Sequence, residues 1–365
     1  MEIKELQSKS EFEKSKYERF ILAGDVGGTN TYLAVLGVLD SKTYEIIYKC
    51  SVNTRDIKNF DVLLNEVMKL AKERFDVELS VACFGAAGAM HHKREFVKLT
   101  NVDLEINASE ILAKTMLNKV ILLNDFEAIG YGLDLLDIEK DVLKLEHLDE
   151  KADKSVRMNT YAVIGAGTGL GMSIAPYDSK KHLHVPMPSE GGHIDFSPQN
   201  ELECELVKFL KKEVLDEEGA FPELESVLSG RGMENIYRYL RSKEKDENDT
   251  HKRITTLEGV EKLREIEANY EKDELCKQTV DIFMRFYARA CRYLALISEC
   301  YAGLFITGRI ALKHKEKFKR DEFMWEFELH DKKSELLKKI PVYIIINPNV
   351  GLMGCTNVAI NFFNL

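Results

Sequence analysis

The sequence lacks several features that would narrow its reading at once. Seven of its 365 residues are cysteine, at 50, 83, 204, 276, 291, 300 and 355, and no two stand in a CxxC spacing. An odd, scattered set favours neither a zinc site nor a disulfide framework; it fits small core residues in a reducing compartment. No stretch reaches eighteen apolar residues, so no membrane-spanning helix is expected. The first twenty residues, MEIKELQSKSEFEKSKYERF, are charged throughout and have no apolar stretch of the signal-peptide kind. Positive charge is also short. Lys and Arg number 51 against 61 Asp and Glu, a formal net charge of −10, which disfavours nucleic acid and anionic membrane as partners. The expectation is a soluble, cytoplasmic chain. A polyanionic ligand remains allowed, since backbone N–H groups and helix N-termini can hold phosphate.

What is present reads as alternating strands and helices. FILAGDV, TYLAVLGVL and YEIIYKC are β-type runs separated by Gly, Asp and Ser. Phe60, Leu63, Leu64, Val67, Leu70 and Ala71 recur at helical spacing. After two more buried strands, ELSVACFG and KVILLND, the chain turns polar around residues 134–158, a plausible domain crossing. A second strand set opens at TYAVIGAGTGLGMSIAP. Phe283, Phe286, Tyr287, Ala290, Leu294 and Ile297 then form a helical core stripe, and Val350–Phe362 reads as a closing helix. The run Arg241–Arg253, RSKEKDENDTHKR, reads as a solvated loop or insertion. No internal repeat is evident. Two strand-then-helix halves joined by a polar crossing imply a two-domain α/β protein with a cleft.

Five motifs could carry chemistry. GDVGGTN, Gly24–Asn30, joins two strands through adjacent glycines. It has neither the GK[ST] of a Walker A loop nor the spacing of a dinucleotide fingerprint. It is a plain hairpin turn, or a turn whose backbone closely approaches a phosphate, with Asp25 placed to hold a water-coordinated Mg2+. VIGAGTGLG, Val163–Gly171, has too many glycines for a good strand. It is a glycine-rich bulge, or a second phosphate loop with Thr168 supplying a hydroxyl. In LLNDFEAIGYG, Asn124 and Asp125 follow a buried strand. Both are favoured helix N-caps, yet a carboxylate at a strand's C-terminal end also faces the ligand side of α/β folds. There Asp125 could take a proton from a hydroxyl, a contribution of roughly 10²–10⁴-fold. PSEGGHIDFSP places Glu190, His193 and Asp195 in a proline-bounded loop suited to vicinal hydroxyls. The Glu190/His193 spacing alone is a poor metal site. Glu225, in ELESVLSGRG, reads on its own as a solvated side chain.

In this order the motifs GDVGGTN, NDF.A, GAGTGLG, EGGHIDF.P, ESVLSG.G and IPVYIII…GL.G resemble the ATP-dependent glucokinases of the hexokinase/actin-like superfamily, over about residues 21–360. The resemblance implies an actin-like ATPase (ribonuclease H-like) fold with a cleft between a small and a large domain. It assigns 21–134 plus 347–365 to the small α/β domain and 135–346 to the large one, with residues 1–20 a charged extension. Gly24, Asp25, Gly27, Gly28, Thr29 and Asn30 match the first phosphate loop, Gly165, Gly167 and Thr168 the second, and Gly308 the adenine-side loop. Asn124 and Asp125 match the pair holding the sugar's distal hydroxyls, with Asp125 as base for the 6-hydroxyl. Glu190, His193 and Glu225 match residues near the anomeric end.

The implied activity is phosphorylation of D-glucose on the 6-hydroxyl with Mg-ATP, giving glucose 6-phosphate and ADP, with closure over the sugar excluding water. A kinase for mannose or glucosamine, and a catalytically silent sugar sensor, are the alternatives. Glucose and ATP are the expected partners, ATP and Mg2+ the cofactors, and a homodimer is compatible with the resemblance. The chain departs from the pattern twice. Tyr32 stands where the family has arginine, and Arg309 where the adenine-side loop has its second glycine. The cysteine-rich zinc signature of the related ROK sugar kinases is absent.

Overall fold

Leu22 and Val26 pack with Leu33 and Val35 on one face of the first hairpin, while Ile21 and Ala23 pack with Ala34 and Leu36 on the other. A strand buried on both faces needs such a near-continuous apolar run. The computed structural model describes every residue except 41–42, 101, 146–157, 216–218, 247 and 362–365. The described chain forms two units: Met1–Asp141 with Asp178–Pro188 and Asn347–Leu365, and Val142–Tyr177 with Ser189–Ile346.

The first unit is built on β1 (Lys4–Ser8), β2 (Arg19–Val26), β3 (Asn30–Val38), β4 (Tyr44–Asn53), β5 (Val81–Ala86) and β6 (Lys119–Asn124), in the sheet order β1-β4-β3-β2-β5-β6. β2 pairs antiparallel with β3 and parallel with β5, and β5 is parallel to β6. The helix Phe60–Phe75 buries Phe60, Leu63, Leu64, Val67, Ala71 and Phe75, while Leu70 is only partly buried. The first twenty residues are not a separate extension. β1 is an edge strand on β4, with Lys4 opposite Ser51 and Ser8 opposite Tyr48. All five of its residues are exposed, and charges suit such an edge. Tyr17 anchors the segment that follows, since a Cβ on Gly37 would lie 2.5 Å from its ring.

The second unit contains β7 (Val142–Leu145), β8 (Tyr161–Ala166), β9 (Leu170–Ala175), β10 (Gly303–Thr307) and β11 (Val342–Ile345), adjacent in the order β7-β11-β10-β8-β9. β8 pairs antiparallel with β9 and parallel with β10, and β10 is parallel to β11. This repeats the β3-β2-β5-β6 pattern of the first unit, a duplication of topology that the sequence does not display. The 25-residue helix Glu274–Ser298 buries Phe283, Phe286, Tyr287, Ala290 and Leu294. The expected stripe stops there, because Ile297, in its last turn, is 66% exposed.

Three further expectations change. Residues 178–188 return to the first unit, where Asp134 accepts from the backbone N–H of His184 at 2.9 Å and meets its Nδ1 at 2.6 Å. The polar crossing at 134–158 contributes β7, and its residues 146–157 lie outside the described chain. The 241–253 run is not one loop: the helix Gly230–Lys243 enters it, and a second helix, Asp249–Thr256, starts inside it, capped by the Asn248 side chain on the N–H of His251. The closing helix spans Val350–Asn361; Phe362 lies outside the described residues. Among the described residues no helix is long and apolar enough to cross a membrane.

Candidate active site

In the first unit the parallel strands β2, β5 and β6 carry their C-terminal ends to one edge of the sheet. Register places Asp25 beside Gly85 and Gly85 beside Leu123, one residue short of Asn124. The small residue between them has a reason. A Cβ at Gly85 would come within 2.7 Å of Ala128 Cβ and 3.2 Å of Cys355 Sγ, so glycine lets two helices settle on the sheet here. One is the closing helix, and the other, Asp125–Gly132, begins directly at the end of β6.

The β2–β3 turn is fastened through its carbonyls. Gly27 N–H donates to Asn30 at 3.0 Å, Thr54 N–H to the Thr29 carbonyl at 2.9 Å, and Thr54 Oγ1 to the Gly27 carbonyl at 2.7 Å. No described residue accepts from the N–H groups of Gly28 or Thr29. Such a loop spends its acceptors on the protein and leaves donors for an anion. Neither Gly27 nor Gly28 has positive φ, so close approach, and not a left-handed turn, is what glycine permits here.

Asn124 caps the helix: its side chain accepts from Phe126 N–H at 3.0 Å in a capping box with Glu127. The N-cap reading is therefore real, and it fixes Asp125 at the first helical position. Burial, then the negative charge of Asp25, push the Asp125 carboxyl up to about 6; backbone N–H groups and the Asn124 side chain oppose them. Burial likewise lifts Asp25 to about 6, opposed by Lys49. Two neighbouring carboxylates, both reluctant to ionise, form an arrangement that a cation or a proton would relieve. In the closing helix Gly351 leaves room, as a Cβ there would lie 3.1 Å from Asp25 Oδ2.

Sequence reasoning missed Lys49. It stands on β4 opposite Ala34, half-buried between Tyr48 and Cys50. Its Nζ lies 5.5 Å over the Tyr32 ring and donates to Asn349 Oδ1. Burial lowers its pKa and Asp25 opposes that shift. The departure at Tyr32 is thus a ring beneath a lysine. A lone cation inside YEIIYKCSV was the available signal.

In the second unit the β8–β9 turn has the same plan. Gly167 N–H donates to the Gly169 carbonyl at 2.8 Å, and Gly230 N–H to the Gly167 carbonyl at 2.8 Å. A Cβ at Gly167 would meet nothing within 4 Å, and Thr168 is exposed. Gly165 pairs with Thr307, which precedes Gly308 at the end of β10. Gly308 has φ 99°, a conformation that favours glycine, and a Cβ there would lie 3.0 Å from the Ala166 carbonyl oxygen. Arg309, just beyond, is exposed.

Glu225 does not reach only into solvent. Its Oε2 accepts from Leu170 N–H at 2.8 Å, and its Oε1 lies 3.4 Å from Arg231 Nη2. His193 Nδ1 meets Glu223 Oε2 at 2.7 Å, and its Nε2 lies 3.7 Å from Glu190 Oε2. The Glu223 hydrogen bond, with the negative charges of Glu225 and Glu190, raises the His193 pKa against a desolvation that lowers it. Glu190, His193 and Glu225 therefore gather as one cluster, which also includes Glu223, unremarked in the sequence two positions before Glu225. The first unit brings together Asp25, the Gly27–Asn30 turn, Asn124 and Asp125; the second brings together the Gly165–Thr168 turn and Gly308.

For a divalent cation the donor in the first unit is the carboxylate of Asp25, whose burial leaves its negative charge uncompensated except by Lys49. This fits Mg2+, which is held by one or two carboxylates, waters and substrate phosphates. Among the described residues no cluster of three or more His, Cys, Asp or Glu could cage a metal without such help. A cavity of about 350 Å³ also lies in this unit, lined by Arg94, Lys119, Glu127, Tyr131, Val185 and Val358 among others. Glu127 and Tyr131 of the Asp125 helix line it, and neither Asp25 nor Asp125 does.

A family model described as Glucokinase matches residues 22–361. A glucokinase of Trichormus variabilis is 33% identical over 351 residues, covering 92% of this chain and 97% of its own. Among solved structures, glucokinase from Balamuthia mandrillaris in complex with glucose superposes with a TM-score of 0.75 at 22% identity, covering 93% of each chain. A ROK family glucokinase from Streptomyces griseus in complex with glucose and AMPPNP does so at 0.57 and 18%, covering 93% of this chain and 98% of that one. These likenesses show the fold: the α/β units described above are of the actin-like ATPase type shared by these sugar kinases.

Proposed function

The chain belongs to the glucokinase family, and we propose that it phosphorylates D-glucose on the 6-hydroxyl with Mg-ATP, giving glucose 6-phosphate and ADP. The observation that carries the reading is Asp125, fixed by a capping box at the head of its helix, with its carboxyl held at about 6. A base works best when its pKa lies near the operating pH, ionised at neutrality yet still basic enough to take a proton. Asn124 and Asp125 hold the distal hydroxyls, and Asp125 accepts the 6-hydroxyl proton as the oxygen attacks. The free N–H groups of Gly28 and Thr29 hold phosphate oxygens in the first unit, and the Gly165–Thr168 turn with Gly308 serves the nucleotide in the second. Glu190, His193 and Glu225 hold hydroxyls near the anomeric carbon.

Asp25 is the residue to hold Mg2+, through water. When bound with the nucleotide, the ion spreads the charge of the transferring phosphoryl group. Glucose and AMPPNP bound to structural neighbours support the two substrates. A cytoplasmic location belongs to the same reading, supported by the composition of the chain.

The test is product formation from glucose, mannose and glucosamine, each with ATP, ADP or polyphosphate and Mg2+. Glucose with ATP should give the highest kcat/KM. A higher value for another sugar or donor would move the substrate assignment, and sugar binding without product under any donor would favour a silent sensor.

A further inference from the structure

The helix Asp125–Gly132 is held from two sides. On one side glycines let it touch the closing helix: a Cβ at Gly132 would lie 2.2 Å from the Val350 carbonyl oxygen, and one at Gly354 only 1.6 Å from that of Ala128. Asn357 Nδ2 donates to the Tyr131 carbonyl at 2.8 Å across the same face. On the other side Glu127 turns its carboxylate inward, its side chain 4% exposed, and Arg94 Nη1 stands 2.8 Å from both oxygens. The same carboxylate accepts from the backbone N–H of Asn124 at 3.4 Å, closing the capping box. Arg94 comes from the hairpin formed by the strands Gly88–Met90 and Phe96–Leu99. An ionic strut therefore runs from that hairpin to the corner where β6 ends and Asp125 begins.

We propose that Arg94 and Glu127 are positioning residues for phosphoryl transfer, fixing the angle at which this corner presents Asp125 to the reacting hydroxyl. The inference rests on the reading of Asp125 as the base. Packing alone does not call for the pair, since an apolar side chain would fill the place without a charge to desolvate. What the pair adds is direction. Nη1, equidistant from both oxygens, fixes the rotation of the carboxylate, which in turn fixes the Asn124 peptide. The cavity of about 350 Å³ beside both residues leaves the corner room to move once the strut is gone.

The test compares Arg94→Ala, Arg94→Lys and Glu127→Gln in the full-length enzyme, with circular dichroism and glucose binding as checks on folding. Arg94 is 43% exposed, and glutamine preserves the shape of Glu127, so both changes should leave a folded protein. Arg94→Ala and Glu127→Gln should each lower kcat about 10–100-fold, the penalty of a small misplacement of a reacting group. KM for glucose and for ATP should stay within about threefold, and the lysine variant should recover most of the loss, as one donor nitrogen makes both contacts. If Arg94→Ala does not fold, Arg94→Gln takes its place. Folded Arg94→Ala (or Arg94→Gln) or Glu127→Gln with kcat within about twofold of wild type overturns the proposal, as does a loss confined to KM. Asp125→Asn, assayed alongside, separates the two readings: full turnover there refutes the base assignment, whereas loss there with full turnover in Arg94→Ala refutes only the strut.

Discussion

Asp125→Asn removes one of two neighbouring carboxylates that stand at about 6 against an ordinary value of 3.8. A displacement of about two pKa units is about 3 kcal/mol against the ionised form. Asp125 is only half-buried and shares its strain with Asp25, so solvent screening and relaxation reduce the expected gain to about 1–2 kcal/mol. The sign follows from proton binding. Between about pH 4 and 6 the folded protein holds the Asp125 proton more tightly than the unfolded chain does. The ionisation cost is therefore absent below the unfolded value, grows with pH, and is complete above about 6. Asparagine bears none of it at any pH. Urea unfolding of the substrate-free wild type and variant, followed by circular dichroism, should show the variant more stable by about 1–2 kcal/mol at about pH 8, with the difference nearly gone at about pH 4. An equal difference at both pH values, or a less stable variant at the higher one, would refute the claim that Asp125 is held against its own ionisation.

Thr54→Val removes the buried hydroxyl that donates to the Gly27 carbonyl and lies 3.0 Å from Thr31 Oγ1; steady-state kinetics should show KM for ATP rising while KM for glucose stands, and stability should fall by about 1–3 kcal/mol. Gly308→Ala forces a side chain onto φ 99°, and thermal denaturation should register a loss of about 1–3 kcal/mol. Glu225→Gln keeps an oxygen for Leu170 N–H and so should leave the β8–β9 turn intact, yet KM for glucose should rise about tenfold if the charged carboxylate holds a sugar hydroxyl.

The strands and the closing helix were legible because burial leaves a local mark. ILAGDV and TYLAVLGVL are apolar on both faces, and a sheet covered on both sides is what such runs require. The glycine turns were legible as turns, but the sequence could not say which backbone groups they leave free. That depends on Thr54, 25 residues beyond Thr29, and on Gly230, 63 residues beyond Gly167. Lys49 and Glu223 were missed for the same reason, since each acquires its role from register or from a turn that brings it to Asp25 or His193. Ile297 shows the converse error: its spacing is that of a core stripe, but in the last turn of the helix its side chain is exposed. The duplicated strand order was invisible because pairing is conserved between the units while residues are not, GDVGGTN and GAGTGLG sharing little beyond glycines and a threonine.

The central claim is that this chain moves a phosphoryl group to the 6-hydroxyl of glucose with Asp125 as the base. It is tested most directly by the rate of glucose 6-phosphate formation from Mg-ATP, measured for wild type and Asp125→Asn with glucose binding measured in parallel. The account predicts product from the wild type and a fall of roughly 10²–10⁴-fold in kcat for the variant, with glucose still bound. A variant that binds glucose and turns over near the wild-type rate would contradict it.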